Sequence, residues 1–147
     1  MDLTTSFPRS VKDKVAGVVM LGRAIDKGKA VAHGNVGEYN FNCPMDQAVF
    51  GFLGIDQAQL LEKIKQTKDD GEIEAFAKPF VAKKSSQELE QFNAGFLQSS
   101  PAAGSDGEKY FYELRGKVAP DRTDVTAWAD LLDLDEKRDV PKRAAAV

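Results

Sequence analysis

Apolar residues recur along this chain at helical spacing, in blocks short enough to be separate helices. Val11, Val15, Val18, Gly22 and Ile25 step by four, three, four and three positions, which lays them on one stripe. That spacing predicts a helix from Val11 into the thirties, capped by Ser10, before Gly28, Gly34 and Gly37 break it into a loop. Gly22 within the stripe would let another backbone approach closely. Glu38–Asn42 then reads as a short extended segment that turns into a helix at Cys43 and Pro44, since proline suits the first helical position. Behind it Met45, Ala48, Val49, Phe50, Phe52 and Leu53 are apolar on nearly every side, which predicts a buried central helix over residues 44–53. Gly54 fits the left-handed closing position.

The later blocks carry clearer punctuation. Asp56 caps a helix over Gln57–Lys68 with Leu60, Leu61 and Ile64 inward, and Asp69-Asp70-Gly71 breaks it. A shorter helix, Glu72 to Lys78, turns Ile73, Phe76 and Ala77 inward and is ended or kinked by Pro79. Ser85-Ser86-Gln87-Glu88 is a capping box, followed at helical spacing by Leu89, Phe92, Phe96 and Leu97. Ser99–Gly104 reads as a flexible loop. Ser105–Glu108 is a second box, opening a helix over Lys109–Val118 that Pro120 stops. Asp121 or Thr123 then caps a last helix holding Val125, Trp128, Leu131 and Leu132. The sum is an all-α array of about six to seven short helices, one domain over residues 1–134, with a loose tail over 135–147.

Composition narrows the class. The 147 residues are enough for one domain with a real core, and the net charge of −3 argues against a dedicated nucleic-acid binder. One cysteine and one histidine exclude an internal disulfide and the usual structural zinc sites, and suit a reducing, cytoplasmic setting. Neither a signal peptide nor a membrane span is expected: the longest apolar run, Val15–Leu21, is far short of the roughly 20 residues a span needs.

Three stretches could carry chemistry. Cys43 at a helix N-cap would face the positive end of the backbone dipole, which favours a reactive thiol. His33 could serve as its base, although a free cysteine more often behaves as a small buried hydrophobe. Glu38, Tyr39, Asn40, Asn42, Asp46 and Gln47 form a polar cluster beside the apolar helix. Asp46 explains itself as the third helical residue bonding back to the cap, and the sharper reading is a ligand pocket of mixed apolar and polar lining. On the first helix, Lys12, Arg23 and Lys27 share one flank and read most simply as a solvated face, with an anion-binding edge as the rarer alternative. Near the C-terminus, Arg122 could bind an anion or pair with Glu38 or Asp46, while Trp128 reads as core. Asp130, Asp133, Asp135 and Glu136 read as a solvated helix end, because they lack calcium-loop spacing.

Four segments taken together, Leu3–Ser10, Gly22–Lys27, Gly37–Asp56 and Arg122–Glu136, resemble an uncharacterised bacterial domain-of-unknown-function family over nearly the whole chain. Gly22 stands between Leu21 and Arg23 where that pattern leads one to expect proline. The resemblance implies a small, soluble, mainly helical bacterial protein and brings no catalytic residues with it.

The residues themselves therefore point to a non-enzymatic domain that binds a small molecule or a protein partner. Its expected site holds Glu38, Tyr39, Asn42, Asp46 and Gln47, with Arg23, Asp26, Arg122 and Trp128 as neighbours, and no metal or cofactor. The alternatives are a small enzyme using Cys43 or the carboxylates Glu38, Asp46 and Asp124, and a self-associating protein, such as a homodimer, that covers Phe50, Phe52 or Phe96.

Overall fold

A computed structural model describes residues 1–67 and 69–142. Lys68, the expected end of one helix, and residues 143–147 of the expected tail lie outside them. Chain contacts divide the molecule into two compact units, Met1–Asn93 and Ala94–Val147. Seven helices and one two-stranded ribbon occur among the described residues, so the chain is essentially all-α.

The first unit departs from expectation at its start. Residues 11–20 do not continue into the first helix; they fold back as a hairpin. Strands β1 (Lys14–Val15) and β2 (Val18–Val19) pair antiparallel, Val15 opposite Val18. The two linking residues, Ala16 (φ 53°) and Gly17 (φ 81°), are both left-handed, the geometry that matches the twist of a two-residue hairpin. Val11, Val18, Val19, Met20 and Leu21 are all buried, so the valine spacing reflects a folded-back ribbon with its apolar side inward. Asn93 secures the ribbon by accepting from Val19 N (3.1 Å) and donating to Gly17 O (2.9 Å).

Helix α1 (Leu21–Ala32) follows and is the most deeply buried of the helices. Gly22 and Gly28 lie inside it, where close packing requires them. A Cβ on Gly22 would stand 3.0 Å from a Val15 methyl, and one on Gly28 only 2.8 Å from Ile64 Cδ1 and 3.3 Å from the Phe41 ring. Gly28 thus marks a contact, not the decay of the helix. α1 packs against α3 (Gln57–Gln66), which Asp56 caps through Ala58 N (2.8 Å).

Helix α2 (Pro44–Leu53) exists with the expected boundaries, and Gly54 closes it at φ 76°. It is not, however, an enclosed central helix. Asp46, Val49, Phe50 and Leu53 are buried, whereas Pro44, Gln47, Ala48 and Gly51 face solvent. Small residues on the outer face made the helix read as apolar all round, and α1 takes the central place. The lead-in over residues 38–42 is a pair of turns, not an extended segment, with Asn42 left-handed at φ 63°.

Helix α4 (Asp70–Ala82) is one element across Pro79, and Asp69 caps it through Gly71 N (2.8 Å). Helix α5 (Ser86–Gln98) opens with the expected capping box: Glu88 N donates to Ser85 Oγ and Ser85 N to Glu88 Oε1, each at 3.1 Å.

The second unit is built on α6 (Asp106–Val118) and α7 (Trp128–Asp135). Phe111, Val125 and Leu131 form its core, with Leu114, Trp128 and Leu134 packed around them. Ser105 caps α6 through Glu108 N (3.1 Å), while the Glu108 carboxylate reaches Gly104 N (3.2 Å) instead of the cap's own N–H. Residues 121–127 are turns, so neither Asp121 nor Thr123 opens α7. Its first amide, on Trp128, donates to Ser99 O (3.0 Å). The described part of the expected tail is packed: Glu136 and Val140 are buried, and Arg122 holds the carbonyls of Val140 (2.8 Å) and Pro141 (3.3 Å).

Candidate functional site

The groups with the most unusual environment meet where α1 passes the mouth of α2. Phe41 packs against the α1 backbone at Gly28, which brings the turn over residues 40–43 onto the helix beside Lys27. The Lys27 side chain is only 4% exposed and Asp46 is fully buried. Lys27 Nζ lies 2.7 Å from Asp46 Oδ2, donates to Asn40 O (3.0 Å), and reaches Cys43 Sγ at 3.3 Å. Removing an ammonium and a carboxylate from water is costly, and such a pair persists when close geometry and further hydrogen bonds offset the loss.

Local sequence explains each position. Cys43, extended at the N-cap, and Asp46, third in the helix, form a capping box in which sulfur replaces the usual hydroxyl. Cys43 N donates to Asp46 Oδ2 (3.2 Å), so one carboxylate oxygen serves both the cap and Lys27. The other oxygen, Asp46 Oδ1, is buried and has no hydrogen-bond partner, the one such side-chain atom found among the described residues. Outside this core, Gln47 Nε2 donates to Asn42 O (2.8 Å), bracing the left-handed Asn42 turn. Asn42 and Cys43 are half-buried, and Gln47 is exposed. The cluster therefore runs from a partly open mouth to a closed ion pair.

The other expected site residues of the first unit lie around or beside this cluster. Glu38 is exposed on the turn, and Tyr39 has its ring 5.6 Å below the Arg23 guanidinium. Arg23 is buried and donates to Arg9 O (3.2 Å). Asp26 is buried and engaged three times by Arg9, from the backbone N (2.8 Å) and from Nε and Nη2 (both 3.1 Å). Asp26 and Arg23 thus anchor the N-terminal segment to α1. The flank expected to be a solvated face is instead interior at Arg23 and Lys27. Lys27, outside the expected set, is the group that assembles the cluster. His33 is not placed as the base of Cys43: it is exposed at the end of α1 with Nδ1 2.7 Å from Lys29 O.

Arg122 and Trp128 belong to the second unit and are occupied there. Arg122 forms a two-point pair with Asp124 (3.0 and 3.1 Å), whose hydrogen bonds and charge raise the guanidinium above its ordinary pKa. Trp128 meets Phe111 edge-on at 5.0 Å, as expected of a core residue. Asp130, Asp133 and Glu136 are buried, with Arg138 at 4.0 Å from Asp133 and 2.5 Å from Glu136, so the acidic helix end is not a solvated one. No cluster of three metal-ligating side chains occurs among the described residues.

A further opening went unforeseen. An open groove of about 430 Å³ lies along α3 and reaches Phe76 of α4, lined by Asp56, Gln59, Glu62, Lys63, Gln66 and Phe76. Its charges are those of two helix surfaces, and Asp56 is committed to its cap.

A family model described as a domain of unknown function, DUF5069, matches residues 5–138. The chain belongs to this family. The match covers both units, and it bears out the resemblance to a domain-of-unknown-function family. No curated protein matches the chain. Among the described residues of this DUF5069 domain, no helix is long and apolar enough to cross a membrane.

Proposed function

We propose that this DUF5069 chain is a non-catalytic recognition domain, and that it takes a small polar ligand, or a polar group of a protein partner, at the mouth of α2. Asn42, Cys43 and Gln47 form the rim, Asp46 and Lys27 the floor, and Glu38 and Tyr39 the outer turn. The observation that carries this reading is Asp46 Oδ1, a buried carboxylate oxygen with no donor. Leaving such an acceptor unmade costs about 1–3 kcal/mol, and an N–H or O–H brought in by a ligand past the Asn42 turn would recover it. A cytoplasmic setting accompanies the proposal, because the single thiol is suited to a reducing environment.

The test is amide correlation spectroscopy of the isotope-labelled chain, titrated with a panel of small amides, amines and polyols. The expected result is saturable movement of the Asn42, Cys43, Asp46 and Gln47 amides, lost in Gln47→Ala at the rim. A panel that moves only amides along the α3–α4 groove, or none, overturns the proposal.

A further inference from the structure

Lys27 and Cys43 have a second capability, independent of whether the mouth of α2 binds a ligand. We propose that the pair is an oxidative modification site, at which a peroxide converts the thiol and the amine into a covalent S–N crosslink between α1 and the mouth of α2.

Three observations support this chemistry. The amine is already in place: Lys27 Nζ lies 3.3 Å from Cys43 Sγ, and Cys43 is half-buried, so a molecule as small as a peroxide can reach the sulfur while the lysine stays enclosed. The usual routes within one chain are closed. A sulfenic acid normally resolves by attack of a second thiol or of a neighbouring backbone nitrogen. This chain has one cysteine, and the residue after it is Pro44, which has no N–H to offer. Finally, there is a place for the proton. Lys27 must shed one to become a nucleophile, and Asp46 lies 2.7 Å away with Oδ1 unpartnered.

The steps balance. Peroxide oxidises the Cys43 thiol by two electrons to S–OH, and is itself reduced, leaving as water when it is hydrogen peroxide. Lys27 passes one proton to Asp46. The neutral amine then attacks sulfur, the S–N bond forms as S–O breaks, and hydroxide departs with one of the two remaining amine protons as a second water, the other staying on nitrogen. Asp46 ends protonated, so the buried site keeps no net charge. The product fastens the turn over residues 40–43 to α1 and fixes the rim built on Asn42 and Cys43.

Treating the reduced full-length chain with hydrogen peroxide tests this, read by intact mass without reductant and by peptide mapping. The expected product is about 2 Da lighter than the reduced chain, from loss of two hydrogens. It yields a crosslinked peptide joining Lys27 to Cys43, and dithiothreitol returns both the mass and the free thiol. Cys43→Ser should show no loss. Lys27→Arg keeps a cation beside Asp46 but removes the amine, and should gain oxygen as sulfinic or sulfonic acid instead. A wild-type chain that only gains oxygen, forms a disulfide dimer or does not react overturns the proposal, as does the same mass loss in Lys27→Arg. The peptide map of the wild-type chain decides the matter even if a variant folds poorly.

Discussion

Lys27→Met is the most informative single change, because it removes the ammonium while keeping the length and packing of the stem. In the native chain Asp46 is fully buried and has two partners on Oδ2: Lys27 Nζ at 2.7 Å and Cys43 N at 3.2 Å. The substitution leaves a buried carboxylate supported by one amide, a situation that typically costs about 3–5 kcal/mol. Asp46→Asn has the mirror effect: its amide oxygen can still accept from Cys43 N and from Lys27 Nζ, but it carries no charge, so the buried ammonium loses the carboxylate that balances it. The double variant Lys27→Met, Asp46→Asn buries no charge, and replacement of buried pairs by neutral groups is often close to neutral. The coupling between the two sites should therefore reach about 3 kcal/mol, the upper end for residues in contact. Urea unfolding followed by circular dichroism measures the four corners of the cycle. Trp128 fluorescence serves as a separate probe of the second unit, since two units need not unfold as one. Deficits that add to within about 0.5 kcal/mol would show that the two groups do not share an environment, and the cluster described here would fall with that result.

Other expectations can be checked in the same laboratory. Gly28→Ala sets a Cβ 2.8 Å from Ile64 Cδ1, so it should destabilise by about 1–3 kcal/mol, and Ile64→Val, which deletes that methyl, should restore much of the loss; thermal melts that rank Gly28→Ala above wild type would refute the contact. Ser85→Ala removes the cap of a helix with no buried residue and should cost about 1 kcal/mol, read as faster amide exchange over the first turn of α5; unchanged exchange would count against the capping box. Asp70 is held below its ordinary pKa of 3.8 by the hydrogen bond from Lys29, so the ion pair contributes above that value and is lost as pH falls through the lower, folded one. Because Asp70 is largely exposed, Asp70→Asn should remove no more than about 1 kcal/mol at neutral pH. Its stability curve should approach that of wild type in acid, and a gap that widens there would reverse the assigned sign.

What could be read from the residues alone follows a physical division between local and distant interactions. The caps at Asp56, Ser85 and Ser105 depend on hydrogen bonds two or three residues long, and each is where the pattern puts it. The closing glycine at position 54 and the N-cap at Cys43 are local in the same sense. The hairpin failed because two of its signals coincide with helical spacing: Val15 and Val18 are three apart whether they stack along a helix or face each other across a two-residue turn. The left-handed pair Ala16-Gly17 distinguishes the cases, and only Gly17 announces it. The charges of α1 failed for a different reason. Arg23 and Lys27 resemble an ordinary wet flank, since charged side chains are rarely buried unless paired. The neighbours that make their burial tolerable come from Arg9 on one side and from residues 40–46 on the other, at separations that no periodicity encodes.

That distant pairing also bears on how the proposed site is held. Asp26 and Lys27 are adjacent on α1, yet one is tied to the N-terminal segment through Arg9 and the other to the mouth of α2 through Asp46. A helix that presents opposite charges to two different segments cannot exchange them, because each swap would bring like charges together inside the protein. The Asp26-Lys27 order therefore fixes which segment lies on which side of α1, and sets the 40–43 turn over Lys27. Exchanging the two residues, Asp26→Lys with Lys27→Asp, should abolish the native fold of the first unit even though composition and net charge are unchanged. Restoring complementarity at the first segment with Arg9→Asp, and at the second with Asp46→Lys, should recover part of the lost helix signal by circular dichroism. No recovery in that fourfold variant, alongside a stable twofold one, would mean that packing alone orders these segments and that the buried charges follow from it.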